Sequence, residues 1–136
     1  MKNKNLILKI ILSIIALGLI VTSFIIILEK EKAKDNGVII VELIDIDNKV
    51  ISNKEINFKK GDNLLNLLEE NYDLKYDSYI YGAYITKIGE LDVTNNNEYF
   101  IRIDIDGVVS DRGVSQIKLV NNMKITFSLI KIGEYL

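Results

Sequence analysis

The chain contains no cysteine, no histidine, no proline and no tryptophan, and of its 17 cationic side chains only Arg102 and Arg112 are arginines. Without cysteine there is no disulfide, no thiolate nucleophile and no lipid-modified cysteine. The absence of histidine removes the commonest general base and, with cysteine gone too, the usual transition-metal ligands. Catalysis would then need a Ser or Lys set against a base, or two carboxylates in a cleft, and no such pattern is visible. The reading is therefore no enzyme, no cofactor and no metal. Basic residues are not clustered, and acidic ones outnumber them from Asn36 onward. Nucleic acid is not an expected partner.

What is present divides the 136 residues in two. No charged residue lies between Lys9 and Glu29, where IILSIIALGLIVTSFIIIL follows the basic start MKNKNLILK. At about 1.5 Å rise per residue such a run crosses a hydrocarbon core of roughly 30 Å. A cleavable signal peptide usually has an apolar region of only about 7–15 residues and a small-residue site after it. This run is longer and ends in Leu28 and EKEKAKD, so an uncleaved transmembrane anchor is expected. Lys2, Lys4 and Lys9 precede the run, whereas acids and lysines balance after it, which sends the C-terminal part across the membrane. Residues 1–35 are read as cytoplasmic start, membrane span and linker, and 36–136 as one extracytoplasmic domain of about 100 residues, enough for a single core. The Ile-, Lys- and Asn-rich composition is that of an AT-rich bacterial genome.

Within that domain, GVIIVELIDID reads as a strand that stops at the turn-forming Asp47 and Asn48. KVISNKEINF reads as its hairpin partner, with Val50, Ile56 and Phe58 on one face. After KKG, Asp62 is placed to cap a helix from about Asn63 to Tyr72, with Leu64, Leu65, Leu67 and Leu68 inward and Glu69 and Glu70 outward. Tyr81 to Ile88 has strand composition. Tyr99, Ile101, Ile103 and Ile105 alternate with Arg102, Asp104 and Asp106, and Ile125, Phe127 and Leu129 mark a last strand. A hairpin, one helix and two to three further strands predict an α+β, β-grasp-like domain.

YFIRIDIDGVVSDRG raises the question of a calcium loop. Counting from Asp104, an EF-hand would need Gly at position six and Glu at twelve, but those positions hold Val109 and Ser115. Asp106-Gly107 instead carries the composition of a two-residue hairpin turn, with Asp104 projecting outward. At Asp45, Asp47 and Asn48 a strand end with a turn is likewise favoured over a cation site.

In order, KKGDNLLNLLEENYDL, YGAYITKI, EYFIRIDIDG and DRGVSQIKLVNNMKITFSL resemble a family of bacterial membrane- or lipid-anchored envelope proteins. Its domain of unknown function is similar to the C-terminal domain of transcobalamin and intrinsic factor. The resemblance runs from about Val38 to Ile130. It rests on GD-x-LL-x-LL at Gly61 to Leu68, a Gly-containing strand at Gly82 to Ile88, an aromatic-led strand at Tyr99 to Gly107, and a Gly-Val segment leading to the last strand at Gly113 to Phe127. The chain departs from the pattern in lacking Trp near Tyr99 and in reading Asn121-Asn122-Met123 where the family often has Asp-Gly-Asp. The resemblance implies a β-grasp-like binding module of the kind that takes soluble ligands, cobalamin among them. In the vertebrate carriers a large helical domain completes that site, so cobalamin binding by this chain alone is not expected.

The resulting functional reading is a membrane-anchored, non-catalytic binding module of the cell envelope, whose partner is a small molecule or another envelope protein. Tyr79, Tyr81, Tyr84 and Phe100 are the candidate ligand contacts, because aromatic side chains combine large contact area with a polar handle. Tyr76 and Tyr99 belong to the same tyrosine-rich set, with Tyr99 assigned by alternation to the core. The alternative is an adaptor that offers a sheet edge to a protein partner.

Overall fold

The computed structural model describes residues 2–29 and 31–134, in two compact units, Met1–Lys30 and Glu31–Leu136. The ends of the expected ranges 1–35 and 36–136, and Lys30 of the linker, lie outside the described residues. In the first unit, helix α1 runs Lys2–Glu29, and its stretch Asn3–Ile27 reaches a mean hydropathy of 3.0. Its few polar side chains turn back on the helix: Ser13, Thr22 and Ser23 donate to the carbonyls of Lys9, Gly18 and Leu19 at 2.9, 3.0 and 2.7 Å. That satisfies each hydroxyl within the helix, as an apolar surrounding requires.

The second unit is an α+β fold built on a five-stranded sheet. Strand β1 (Gly37–Ile44) pairs antiparallel with β2 (Val50–Phe58) through a turn in which Asn48 takes φ 60°. Asp45 Oδ1 accepts from the backbone N–H of Asp47 at 3.0 Å and of Lys49 at 2.9 Å, so its carboxylate shapes the turn. A register shift between Leu43 and Ile44 leaves Ile51, not Val50, packed on the core, and Val50 is exposed. The bulge inverts the alternation that strand composition predicted.

Helix α2 spans Leu64–Asn71 and buries Leu64, Leu67 and Leu68, while Glu69 and Glu70 face solvent. Its cap is Asn63, whose side chain accepts from Asn66 N at 2.9 Å. Asp62, the expected cap, instead accepts from Lys59 N at 2.8 Å and closes the preceding turn. A second, three-stranded sheet follows, β3 (Leu74–Tyr79), β4 (Gly82–Ile88) and β5 (Leu91–Asp92). Then come β6 (Tyr99–Ile105), β7 (Val108–Val109), a single 3-10 turn at Val114–Gln116, and β8 (Met123–Lys131).

Six strands thus follow the helix where two to three were expected. β5 and β7 are too short to show a period, and β3 is mostly exposed, so no apolar alternation announces it. The large sheet has the order β2-β1-β8-β6-β7, with β1 and β8 parallel from Ile39↔Met123 to Ile44↔Ser128. First and last strands paired in parallel at the centre, under one helix, make the β-grasp arrangement. Ile39, Val41, Leu43, Leu64, Leu68, Ile85, Ile88, Ile125 and Phe127 form the buried centre, each contributing about 1.5–3 kcal/mol of burial.

β6 and β7 are joined by Asp106-Gly107, with φ of 49° and 83° and Ile105 paired to Val108, the two-residue turn that the sequence predicts. Asp106 is tied to the neighbouring strand: its N–H donates to Lys124 O at 2.8 Å, and its Oδ1 accepts from Lys124 N at 2.9 Å. Asp104 keeps to the face opposite the core residue Phe127, as alternation predicts, but is not exposed there. It is 8% exposed, opposite Thr126, and Arg102 lies along it.

Candidate functional site

A groove of about 370 Å³ opens where β4 of the small sheet meets β6 and β7 of the large one. That volume lies within the range of small-molecule sites. Gly82 and Gly113 set its floor. Gly82, at φ +105°, follows the Ile80-Tyr81 turn, and a Cβ built on Gly113 would stand 2.7 Å from the Gly82 carbonyl carbon and 2.8 Å from the Ala83 carbonyl oxygen. Only glycine at both positions lets the two backbones touch.

Three hydrogen bonds then fasten the β3–β4 turn to the loop after β7. Gly113 N donates to Tyr81 O at 3.0 Å, Ala83 N to Ser115 Oγ at 2.9 Å, and Gln116 Nε2 to Ile80 O at 3.1 Å. Ser110 braces the loop from its other end, accepting from Arg112 N at 3.1 Å and donating to Arg112 O at 3.0 Å.

On this frame the walls are aromatic. Tyr79, Tyr81, Tyr84 and Phe100 all line the cleft, together with Val109. Tyr79 and Tyr81 are the more open, 64% and 79% exposed, and Tyr84 and Phe100 lie deeper. All four residues singled out from the sequence therefore meet in one groove. Tyr76 and Tyr99 do not reach it. Tyr76 donates its hydroxyl to Glu69 Oε1 at 2.9 Å, which holds the phenolic proton and raises its pKa. Tyr99 packs partly buried against the core.

Sequence reasoning missed the groove's charged part. Both arginines of the chain line it, together with Asp111. Arg102 is fixed by Asp104, whose Oδ2 accepts from Nη2 at 2.9 Å and Nε at 3.3 Å. Arg112 is exposed and approaches Asp111 only to 3.9 Å. The available signal was that the only two arginines flank the Asp106-Gly107 turn. As for metals, no group of three or more Asp, Glu, His or Cys side chains converges among the described residues.

The family described as Domain of unknown function (DUF4430) matches residues 61–131, more than half of the chain. The chain belongs to the DUF4430 family. The residues that line its groove, from Tyr79 to Gly113, all lie within the matched region, beyond β1 and β2. No curated protein matches the chain.

Among solved structures, a candidate metal-binding protein from Ruminococcus gnavus ATCC 29149 is 20% identical, with a TM-score of 0.56 over 70% of this chain and 97% of that one. Haptocorrin, solved in complex with Cbi, is 15% identical, with a TM-score of 0.55 over 72% of this chain. The DUF4430 chain spans 26% of haptocorrin's length. At these identities the likeness is one of fold, and it agrees with the transcobalamin-type β-grasp domain that the sequence motifs resemble.

Proposed function

We propose that this DUF4430 chain is a non-catalytic binding module, anchored by α1 in a bacterial cell membrane with its domain on the outer side, and that the groove takes a small ligand with a flat apolar face. The observation that carries the reading is the convergence of Tyr79, Tyr81, Tyr84 and Phe100 on one cleft whose floor is locked by Gly82 and Gly113. Rigid aromatic walls present contact area at low conformational cost. The fold shared with part of haptocorrin, a protein solved in complex with Cbi, supports a ligand-binding use of the same architecture. The lysine bias ahead of the apolar run supports the orientation.

The test adds metabolites with flat rings, cobalamin and haem among them, to the full chain in nanodiscs and follows its unfolding midpoint. A ligand of the native state stabilises it by mass action, by about 2.7 kcal/mol at a hundred times its dissociation constant, and so raises that midpoint. A shift lost in Tyr84→Ala supports the groove, and a shift unchanged by that substitution contradicts it. Orientation is tested separately by external protease on wall-stripped cells: cleavage of the domain is expected, and full protection would overturn the topology.

An adaptor role has one observation in its favour. β2 forms the outer edge of the large sheet, with Asn53, Lys54 and Glu55 exposed along it. Charged side chains on an edge discourage strand addition, so the groove remains the preferred site.

A further inference from the structure

Resting on the groove reading above, we infer that the ligand carries an oxyanion, a carboxylate or a phosphate, held by Arg102 and Arg112 while its flat part lies against Tyr84 and Phe100. The chain makes almost all of its positive charge from lysine, yet both of its arginines stand on this one cleft. Lysine serves for solvation, whereas a guanidinium offers a planar fork that matches an oxyanion and also stacks on aromatic faces.

The counter-charges sit where they orient the arginines without filling the cleft. Asp104 is buried in the sheet and is not among the groove-lining residues; one of its oxygens takes both Nε and Nη2 of Arg102. That contact holds the guanidinium plane through Nε and Nη2 while the side chain still lines the groove. Asp111 does line the groove, but its carboxylate is 96% exposed and only 3.9 Å from Arg112 Nε, too long for a hydrogen bond. An incoming anion competes there only with a long, solvent-exposed ion pair, which is worth little.

The test uses three probes of one shape, 2-naphthoate, 2-naphthyl phosphate and the neutral 2-naphthamide, titrated into the isotope-labelled full chain in nanodiscs. Backbone amide shifts at Gly82, Phe100, Arg102 and Gly113 report occupancy. The expected result is that at least one acid binds about tenfold more tightly than the amide, in keeping with hydrogen bonds to charged groups. The tighter acid names the oxyanion class. Arg112→Gln, at an exposed loop position, should remove most of that preference, weakening the acids far more than the amide. Arg102→Lys should weaken the acids while keeping the charge, because the fork is lost.

If the amide binds as tightly as both acids, the anion inference is overturned and the aromatic groove stands. If no probe moves the groove amides, the groove reading falls and the inference with it.

Discussion

Gly82 and Gly113 meet backbone to backbone, so close that a methyl group on Gly113 would lie 2.7 Å from the carbonyl carbon of Gly82. This contact joins the β3–β4 turn to the loop after β7, where Gly113 N donates to Tyr81 O at 3.0 Å. Gly113→Ala is expected to destabilise the domain by about 1–3 kcal/mol, the usual cost of forcing atoms into a packed site. Denaturant unfolding of the full chain, followed by tyrosine near-ultraviolet circular dichroism, would show it. Gly113 takes φ −71°, a conformation open to any residue, so the loss would report the clash and not a change of backbone conformation.

Arg102 and Asp104 form a second constraint on the groove. Asp104→Ala should cost about 2–3 kcal/mol, because it strips the partner from a half-buried guanidinium and opens a gap beside Thr126. The substitution should also blunt discrimination between acidic and neutral probes, since Arg102 is no longer held in plane. A stability loss below about 0.5 kcal/mol, the range of ordinary surface changes, would contradict this role.

The start of α2 separates two neighbouring residues. Asn63→Ala removes the cap and should cost about 1 kcal/mol, measured by the same unfolding experiment. Asp62→Ala should act through the Lys59 turn and leave the amide of Asn66 as protected from hydrogen exchange as before.

Asp92 supplies a pH dependence. The Thr94 hydroxyl, and then the Thr94 backbone N–H, donate to its carboxylate and lower its pKa below the usual 3.8. A depressed acid stabilises the folded state above its unfolded pKa, and that contribution disappears as pH falls through the folded value. Asp92→Asn should therefore lower stability at neutral pH, and the difference should shrink as pH falls below the ordinary carboxyl value. Thr94→Val should move the Asp92 titration, read by carboxyl carbon shifts, back toward the ordinary value.

Much of this fold was legible because its strongest elements are local. The leucine spacing of α2, the alternation of β6 and the Asp106-Gly107 turn each follow from a few adjacent side chains. Elements that depend on distant partners were less legible. Val50 lost its place to Ile51 through a bulge that only pairing with β1 defines, and Asp104, on the polar face of β6, is buried there beside Thr126 and Arg102, which its own strand's alternation does not reveal. In the groove, the aromatic residues could be picked out by type, but the parallel pairing of β1 with β8 and the contact of Gly82 with Gly113 join residues far apart in the chain. Arg102 and Arg112 escaped notice for that reason, since their shared cleft exists only after the fold has closed.

The central claim is that the aromatic groove, and not a sheet edge, is where this domain meets its partner. The most direct measurement adds a cell-envelope extract and a metabolite panel to the labelled full chain in nanodiscs and maps which backbone amides move. The account predicts shifts at Gly82, Ala83, Tyr84, Phe100, Ile101 and Gly113. Shifts gathered instead along β2, from Val50 to Phe58, would contradict it and identify an adaptor.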